Sequence, residues 1–346
     1  MWVYILGELA SILIAWLGMK TTVYKKGKRA AVIILSALPL ILIAGFRYNV
    51  GVDYMGYYNT FYRIAHGGTS DFEPLYIFLN RVIARLGGDY PWLFTSCAVI
   101  FCLFVFLQVF DDSPYVPLSI FLLFGFRYYF AFLGLMRQLM ADAILVYSIR
   151  YVERRDLKRF LLCVAIATGI HETSIAFLAI YWIARLKLQP NVIVAGLLLS
   201  TTVFRTPIKI ALEWVMRLMD YGNYIDSVYD KGEVGLFLTI LVQVAVLVLA
   251  FLYYEDTPKY RAYFNLQVLA VWATAMNGTI ALVERLRFMF GLPVIILLPL
   301  AVKNIRDRRT RVFVTLGLIV CFSWYVSHVF ISNIYYVLPY RTYWMR

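Results

Sequence analysis

Apolar runs close to the ~20 residues needed to cross a bilayer recur from one end of this chain to the other. They include residues 2–18, 31–46, 92–110, 134–149, 236–254, 264–283, 288–302 and 312–330. Only 15% of the residues are charged and 62% are hydrophobic, whereas soluble domains carry about 25% charge. The alternation that marks a β-barrel is absent. The reading is an all-α, polytopic integral membrane bundle of about 12 transmembrane segments, formed as a single domain over residues 1–346.

Charge sets the sidedness. Lys20, Lys25, Lys26, Lys28 and Arg29 follow the first run rather than precede it. That order fits a retained first helix better than a cleaved signal peptide. Basic clusters recur at Arg150–Arg159 and Lys303–Arg311, and more than half of the Lys and Arg fall in loops read as cytoplasmic. Both termini and two long segments, about 48–90 and 205–234, then lie outside. The net charge of +13 calls for anionic partners: membrane lipids and a phosphorylated substrate. Nucleic acid is excluded, since no soluble basic domain exists to hold it. Cys97, Cys102, Cys163 and Cys321 lie in apolar runs without metal-ligand spacing. Residues 160–186 are interrupted by Gly169-Ile170-His171-Glu172-Thr173-Ser174. Two short helices with an external polar break are expected there, with one long span as the alternative.

The polar chemistry concentrates outside. Arg47–Tyr76 holds Arg47, Asp53, Arg63, His66, Asp71 and Glu73, with Tyr54, Tyr57 and six further Tyr and Phe residues. A membrane protein that gathers so many charges and hydroxyl-bearing rings in one segment binds something polar there. Arg137-Gln138 opens a helix, His171-Glu172 sits at the break, and Arg285 and Arg287 end another helix. The bland alternatives are a solvated loop, arginines snorkelling to headgroups and a packed histidine. Arg47, Arg137, Arg285 and Arg287 are expected to ring one pocket, where guanidinium forks match phosphate oxygens. The tyrosines offer flat faces for sugar rings. No metal site is expected. His66, His171 and His328 are far apart, and Asp71-Phe72-Glu73, though spaced as in metal-using membrane transferases, is a pattern common by chance.

The ordered segments FRYNVGVDYMGYY, FEPLYIFLNRVI, GLMRQLMADAILVYSIRY and FLLCVAIATGIHETSIAFL resemble the EpsG family of Wzy-type exopolysaccharide polymerases. LVERLRFMF and YYVLPYRTYW are weaker echoes. The resemblance implies a GT-C-like bacterial inner-membrane glycosyltransferase that joins oligosaccharide repeats carried on undecaprenyl pyrophosphate, at the outer face. It implies inverting, metal-independent chemistry without a cofactor, alongside a chain-length regulator. Matched residue by residue, it points to Arg47, Asp53, Tyr54, Glu73, Pro74, Arg137, Gln138 and His171. Glu172 stands where the family often has Ser or Thr. His171, Asp53, Glu73 and Arg137 are the catalytic candidates, with His171, Asp53 and Glu73 all open as the base. Arg47, Tyr54, Tyr57, Gln138, Glu172, Arg285 and Arg287 are the substrate-binding candidates. The rival functions are an O-antigen-type ligase using the same donor and a non-enzymatic flippase.

The topology is directly testable. A single cysteine placed at position 66 is expected to react with an impermeant thiol reagent added from outside. Labelling only from the cytoplasmic side would invert the orientation.

Overall fold

The computed structural model describes residues 1–20, 28–218, 236–276 and 281–345. Lys25, Lys26 and residues 219–234 of the expected second external segment, with Tyr221, Tyr224 and Tyr229, lie outside the described residues. Among those described there are 17 α-helices and no strand. They are α1 (Trp2–Lys20), α2 (Arg29–Gly45), α3 (Tyr54–Ala65), α4 (Pro74–Arg85), α5 (Tyr90–Asp112), α6 (Val116–Gly125), α7 (Tyr128–Gly134), α8 (Met136–Glu153) and α9 (Leu157–Ile170). A 3₁₀ helix, Glu172–Ala179, leads into α10 (Ile180–Ile183). Then come α11 (Pro190–Thr201), α12 (Arg205–Leu218), α13 (Leu236–Leu252), α14 (Pro258–Ala275), α15 (Ala281–Gly291), α16 (Val294–Asn304) and α17 (Arg308–Ser332).

By length and composition α1, α5 and α17 can each cross a membrane. Three bent pairs, α6–α7, α11–α12 and α15–α16, bring the number to as many as six. The expected count of about 12 also needs the shorter and polar-faced helices. In α8 the residues Arg137, Gln138 and Asp142 lower the hydropathy, and in α14 Asn265 and Gln267 do so; Gln138, Asp142, Asn265 and Gln267 are all buried. Residues 205–218 form a helix, not a loop, turned 73° from α11.

Helix α5 runs through the middle of the bundle, against α2 on one side and α8 on the other. Phe101 stacks flat on Phe132 with ring centroids 4.3 Å apart. Helices α1 and α17 lie at the periphery, with most of their apolar surface turned outward.

At one end a polar network clamps four helices. Asp112 accepts hydrogen bonds from Gln108 Nε2, Tyr263 Oη and Lys259 Nζ, each at 2.6 Å. Asp111 pairs with Arg29 and, at 2.7 Å, with Arg150. Arg150 also donates to Gln108 Oε1 at 2.6 Å. These residues come from segments that the sequence assigns to one face, and the structure gathers them at one end. The helix starts nearby are capped by side chains, Asp156 for α9, Thr257 for α14 and Asp307 for α17.

The opposite end closes differently. The segment after α2 pairs with the C-terminal tail: Tyr48 N donates to Arg341 O at 2.8 Å, Gly51 N to Tyr336 O at 3.0 Å and Tyr343 N to Phe46 O at 2.9 Å. Gly51, with φ of +107°, lies so close to Leu133 that a Cβ there would meet its carbonyl oxygen. Arg47 is fully buried beneath this joint. Its guanidinium donates to Val50 O at 3.1 Å, to Leu133 O at 3.2 Å and to Ala44 O, and rests 4.7 Å from the Phe94 ring centroid. Ala44 and Leu133 carry last-turn carbonyls of α2 and α7, which have no partner within their helices. A cation complements both helix dipoles there.

The break at 169–174 makes a hairpin. Phe160 of α9 packs against Phe177 and Tyr181 of the returning arm, with centroids at 6.2 Å and 5.2 Å. One continuous span would hold those rings ~25–32 Å apart, so the two-helix expectation is the one the fold follows. His171, in extended conformation with φ of −153° and ψ of 113°, makes the turn.

Removing the Arg47 side chain leaves three buried carbonyl acceptors without donors, each costing roughly 1–3 kcal/mol. Arg47→Ala is therefore expected to lower the melting temperature in detergent by several degrees or to prevent accumulation. Unchanged melting would mean that the joint is held by the tail alone.

Candidate active site

Glu73 occupies the N-cap position of α4 with Pro74 following as the first helical residue. An acid at this position ordinarily bonds the first free N–H groups of its own helix. Here the carboxylate makes no such bond and turns into the bundle, 9% exposed. One oxygen pairs with Arg137 of α8. The other lies 3.1 Å from His171 Nδ1 and accepts from Glu172 N at 3.2 Å. A single carboxylate thus joins α4, the start of α8 and the apex of the 157–183 hairpin. The Arg137 guanidinium also lies 3.7 Å from the Phe72 ring centroid, so it is held by a carboxylate and an aromatic face together.

With Glu73 on Nδ1, the imidazole ring is fixed and its Nε2 is presented. Nε2 is buried and has no hydrogen-bond partner among the described residues. Beside this trio, Gln138 and Arg285 bond reciprocally: Gln138 Nε2 donates to Arg285 O, and Arg285 Nη1 donates to Gln138 Oε1, both at 2.9 Å. Asp53, just before α3, feels both Arg285 and Arg137. Burial pushes its carboxyl above the ordinary carboxylate value in spite of them. Tyr57 stands against Arg137. For Glu73, burial pushes the carboxyl up, but the His171 hydrogen bond and the Arg137 charge outweigh it and hold the group below its ordinary value.

Asp53, Tyr57, Glu73, Arg137, Gln138, His171, Glu172 and Arg285 therefore converge, and three other expected residues do not. Arg47 is consumed in the main-chain joint described above. Tyr54 is 1% exposed, its ring edge-on to Phe94 at 5.1 Å, and it has no face left for a sugar. Arg287 points away from Arg285, because residues two apart on a helix diverge by ~200°. It lines a second small cavity with Arg127, Tyr128, Gln243 and Tyr325. The one ring of four arginines is thus divided among three places. Among the described residues no three His, Cys, Asp or Glu side chains converge as a metal site. Asp71 is exposed while Glu73 faces inward.

A family model of the EpsG family matches residues 30–342. The chain belongs to the EpsG family. No curated protein and no solved structure matches the chain. EpsG membership points to an exopolysaccharide polymerase, and the match spans every residue of the cluster. In this EpsG chain two buried charges escaped the sequence reading. Asp142, 1% exposed, faces Arg285 and Gln138. Its signal was its position, one helical turn after Gln138 inside an apolar helix, where an acid is costly. Arg127 sits at the α6–α7 bend with φ of +67° and donates to Tyr325 O at 2.9 Å, its guanidinium 3.6 Å from the Tyr325 ring centroid.

The depressed Glu73 carboxyl has a pH consequence. Its ordinary value is 4.5, so the ionised form stabilises the fold above that pH and the contribution is lost only as pH falls further, through the folded-state value. The stability difference between the wild type and Glu73→Gln is expected to stay constant from pH 7 to about pH 5 and to shrink in stronger acid. Melting curves over this range would show it, and a gap that already closes near pH 6 would contradict it.

Proposed function

We propose that this protein is a polysaccharide polymerase of the bacterial inner membrane, with about 12 crossings in a GT-C-like arrangement. It joins oligosaccharide repeats carried on undecaprenyl pyrophosphate at the outer face. The observation that carries the reading is Glu73, which holds Arg137 and His171 at once in a chain of the EpsG family.

In this reading a hydroxyl of the incoming lipid-linked repeat attacks the anomeric carbon of the growing chain. The new C–O bond forms as the bond to the pyrophosphate oxygen breaks, and configuration at that carbon inverts. His171 Nε2 takes the hydroxyl proton, and the pyrophosphate leaves with the bonding electrons. Glu73 positions the imidazole and offsets the imidazolium charge, as a buried acid does for a general-base histidine. Arg285, placed by Gln138, meets the charge that develops on the leaving oxygen, with Arg137 beside it. Asp53 and Glu172 hold sugar hydroxyls, and Tyr57 packs the wall. Two guanidinium groups, Arg137 and Arg285, and the His171 imidazole sit here with the carboxyl groups of Asp53, Glu73, Asp142 and Glu172. The reaction is metal-independent in this account. A chain-length regulator acts from outside the chain.

His171→Ala is expected to lower polymerisation by ~10²–10⁴-fold with normal protein levels. Arg285→Ala is expected to cost ~10²–10³-fold, with partial recovery in Arg285→Lys, which restores charge without the fork. Turnover with purified protein and the lipid-linked repeat is expected to persist in chelator. Full activity of His171→Ala, or chelator inhibition reversed by Mg²⁺, would overturn the mechanism.

A further inference from the structure

Helices α1 and α17 both pack on α6 but barely on each other. Between them they leave an open groove of about 730 Å³, within the ~300–1,000 Å³ of small-molecule sites. Leu118 and Phe121 of α6 form its floor, and Trp16 of α1 and Leu316 of α17 line its walls. The surface is almost wholly hydrocarbon except at one mouth, where Lys20 and Arg311 stand. That mouth is at the end of the bundle that carries the Asp111–Asp112 network, since Pro114 and Tyr115 directly follow it and also line the groove.

The mouth is built for an anion at an interface. The Lys20 ammonium lies 3.7 Å from the Trp16 ring centroid. Tyr115 stands near it, and Trp, Tyr, Lys and Arg together mark headgroup depth. The acid nearest in sequence to Arg311 is Asp307, whose carboxylate already accepts from Thr310 N and Thr310 Oγ1 at 2.7 Å each. Basic pockets between membrane helices on the cytoplasmic side bind anionic headgroups.

We propose that the α1–α17 groove is a binding site for one anionic phospholipid of the leaflet at this end. The acyl chains fill the trough over α6, and the headgroup phosphate lies between Lys20 and Arg311. A zwitterionic lipid would set its own cation against these two, so net negative charge is the selected feature. The bound lipid completes the contact that α1 and α17 do not make. It steadies α17, whose Tyr325 covers Arg127 and which leads into the tail that closes over Arg47. This site does not depend on the polymerase reading.

Native mass spectrometry of the full chain released from neutral detergent tests the site, with melting temperatures measured in added phosphatidylglycerol or phosphatidylcholine. One retained phosphatidylglycerol is expected, with an affinity on the order of 10- to 30-fold above phosphatidylcholine. The double variant Lys20→Glu, Arg311→Glu changes only residues at the rim, and it is expected to fold and lose the preference. Leu316→Trp, which fills the groove from an exposed position, is expected to lose the lipid with its rim charges intact. Equal retention of both lipids would overturn the proposal, as would a preference unchanged in the double variant. So would a dimer mass replacing the lipid adduct, or undecaprenyl phosphate displacing phosphatidylglycerol from the groove.

Discussion

A helix that ends inside a bundle leaves carbonyl oxygens that neither water nor its own backbone can satisfy. Much of this fold depends on how two such ends are met. Arg47 serves both, donating into the last turns of α2 and α7 while covering Phe94. A guanidinium suits the task because five donors lie in one plane and the charge never titrates away. Hydroxyls do the same work nearby: Tyr129 Oη donates to Leu40 O at 2.8 Å, Tyr340 Oη to Ile43 O at 3.1 Å and Tyr4 Oη to Val337 O at 2.9 Å. The irregular segment around Arg47 is tolerated at this depth because protein, not lipid, surrounds it.

The candidate site uses the same economy in another form. Breaking a buried ion pair by removing one partner is far more costly than exchanging both. Glu73 therefore commits three elements at once, and α4, α8 and the hairpin apex cannot move independently while its carboxylate stays ionised. The cations left for a substrate are those whose compensation is partial. Arg285 is hydrogen-bonded by an amide, with the Asp53 and Asp142 carboxyls facing it from further off, which fixes its direction.

The all-helical fold with its apolar spans, the basic residues gathered at one end and the hairpin at 169–174 were all legible in the sequence, because each rests on local composition. The convergence of Glu73, Arg137 and His171 was legible only as a set of candidates. What separates them from Arg47, Tyr54 and Arg287 is direction. Arg47 and Arg137 have the same side chain near a helix end, but one meets main-chain carbonyls and the other a carboxylate. That difference lies in contacts 86 and 64 residues away. Likewise nothing local distinguishes Tyr54, walled in by Tyr90 and Phe94, from Tyr58, which stays partly exposed. Arg127 was hidden for another reason: its left-handed backbone follows from the α6–α7 bend, not from a glycine that would announce it.

The hairpin at residues 157–183 has arms of 14 helical residues and of eight 3₁₀ followed by four α residues. Each is about 21–22 Å long, against a hydrocarbon core of ~30 Å. Such a mismatch is met by thinning the bilayer or by sinking the short element below the headgroup plane. An arm of that length that starts at the headgroups of one face would end about 8–9 Å short of the other side of the hydrocarbon core. The segment that carries Glu73 meets the His171 apex at its turn. In the proposed polymerase, the reacting groups would then lie at a depth where water is scarce and sugars must be drawn down from above. If the proposed reaction holds, a hydroxyl tethered to a lipid anchor reaches that depth more readily than a free water molecule does, and membrane thickness then becomes a determinant of which nucleophile arrives first.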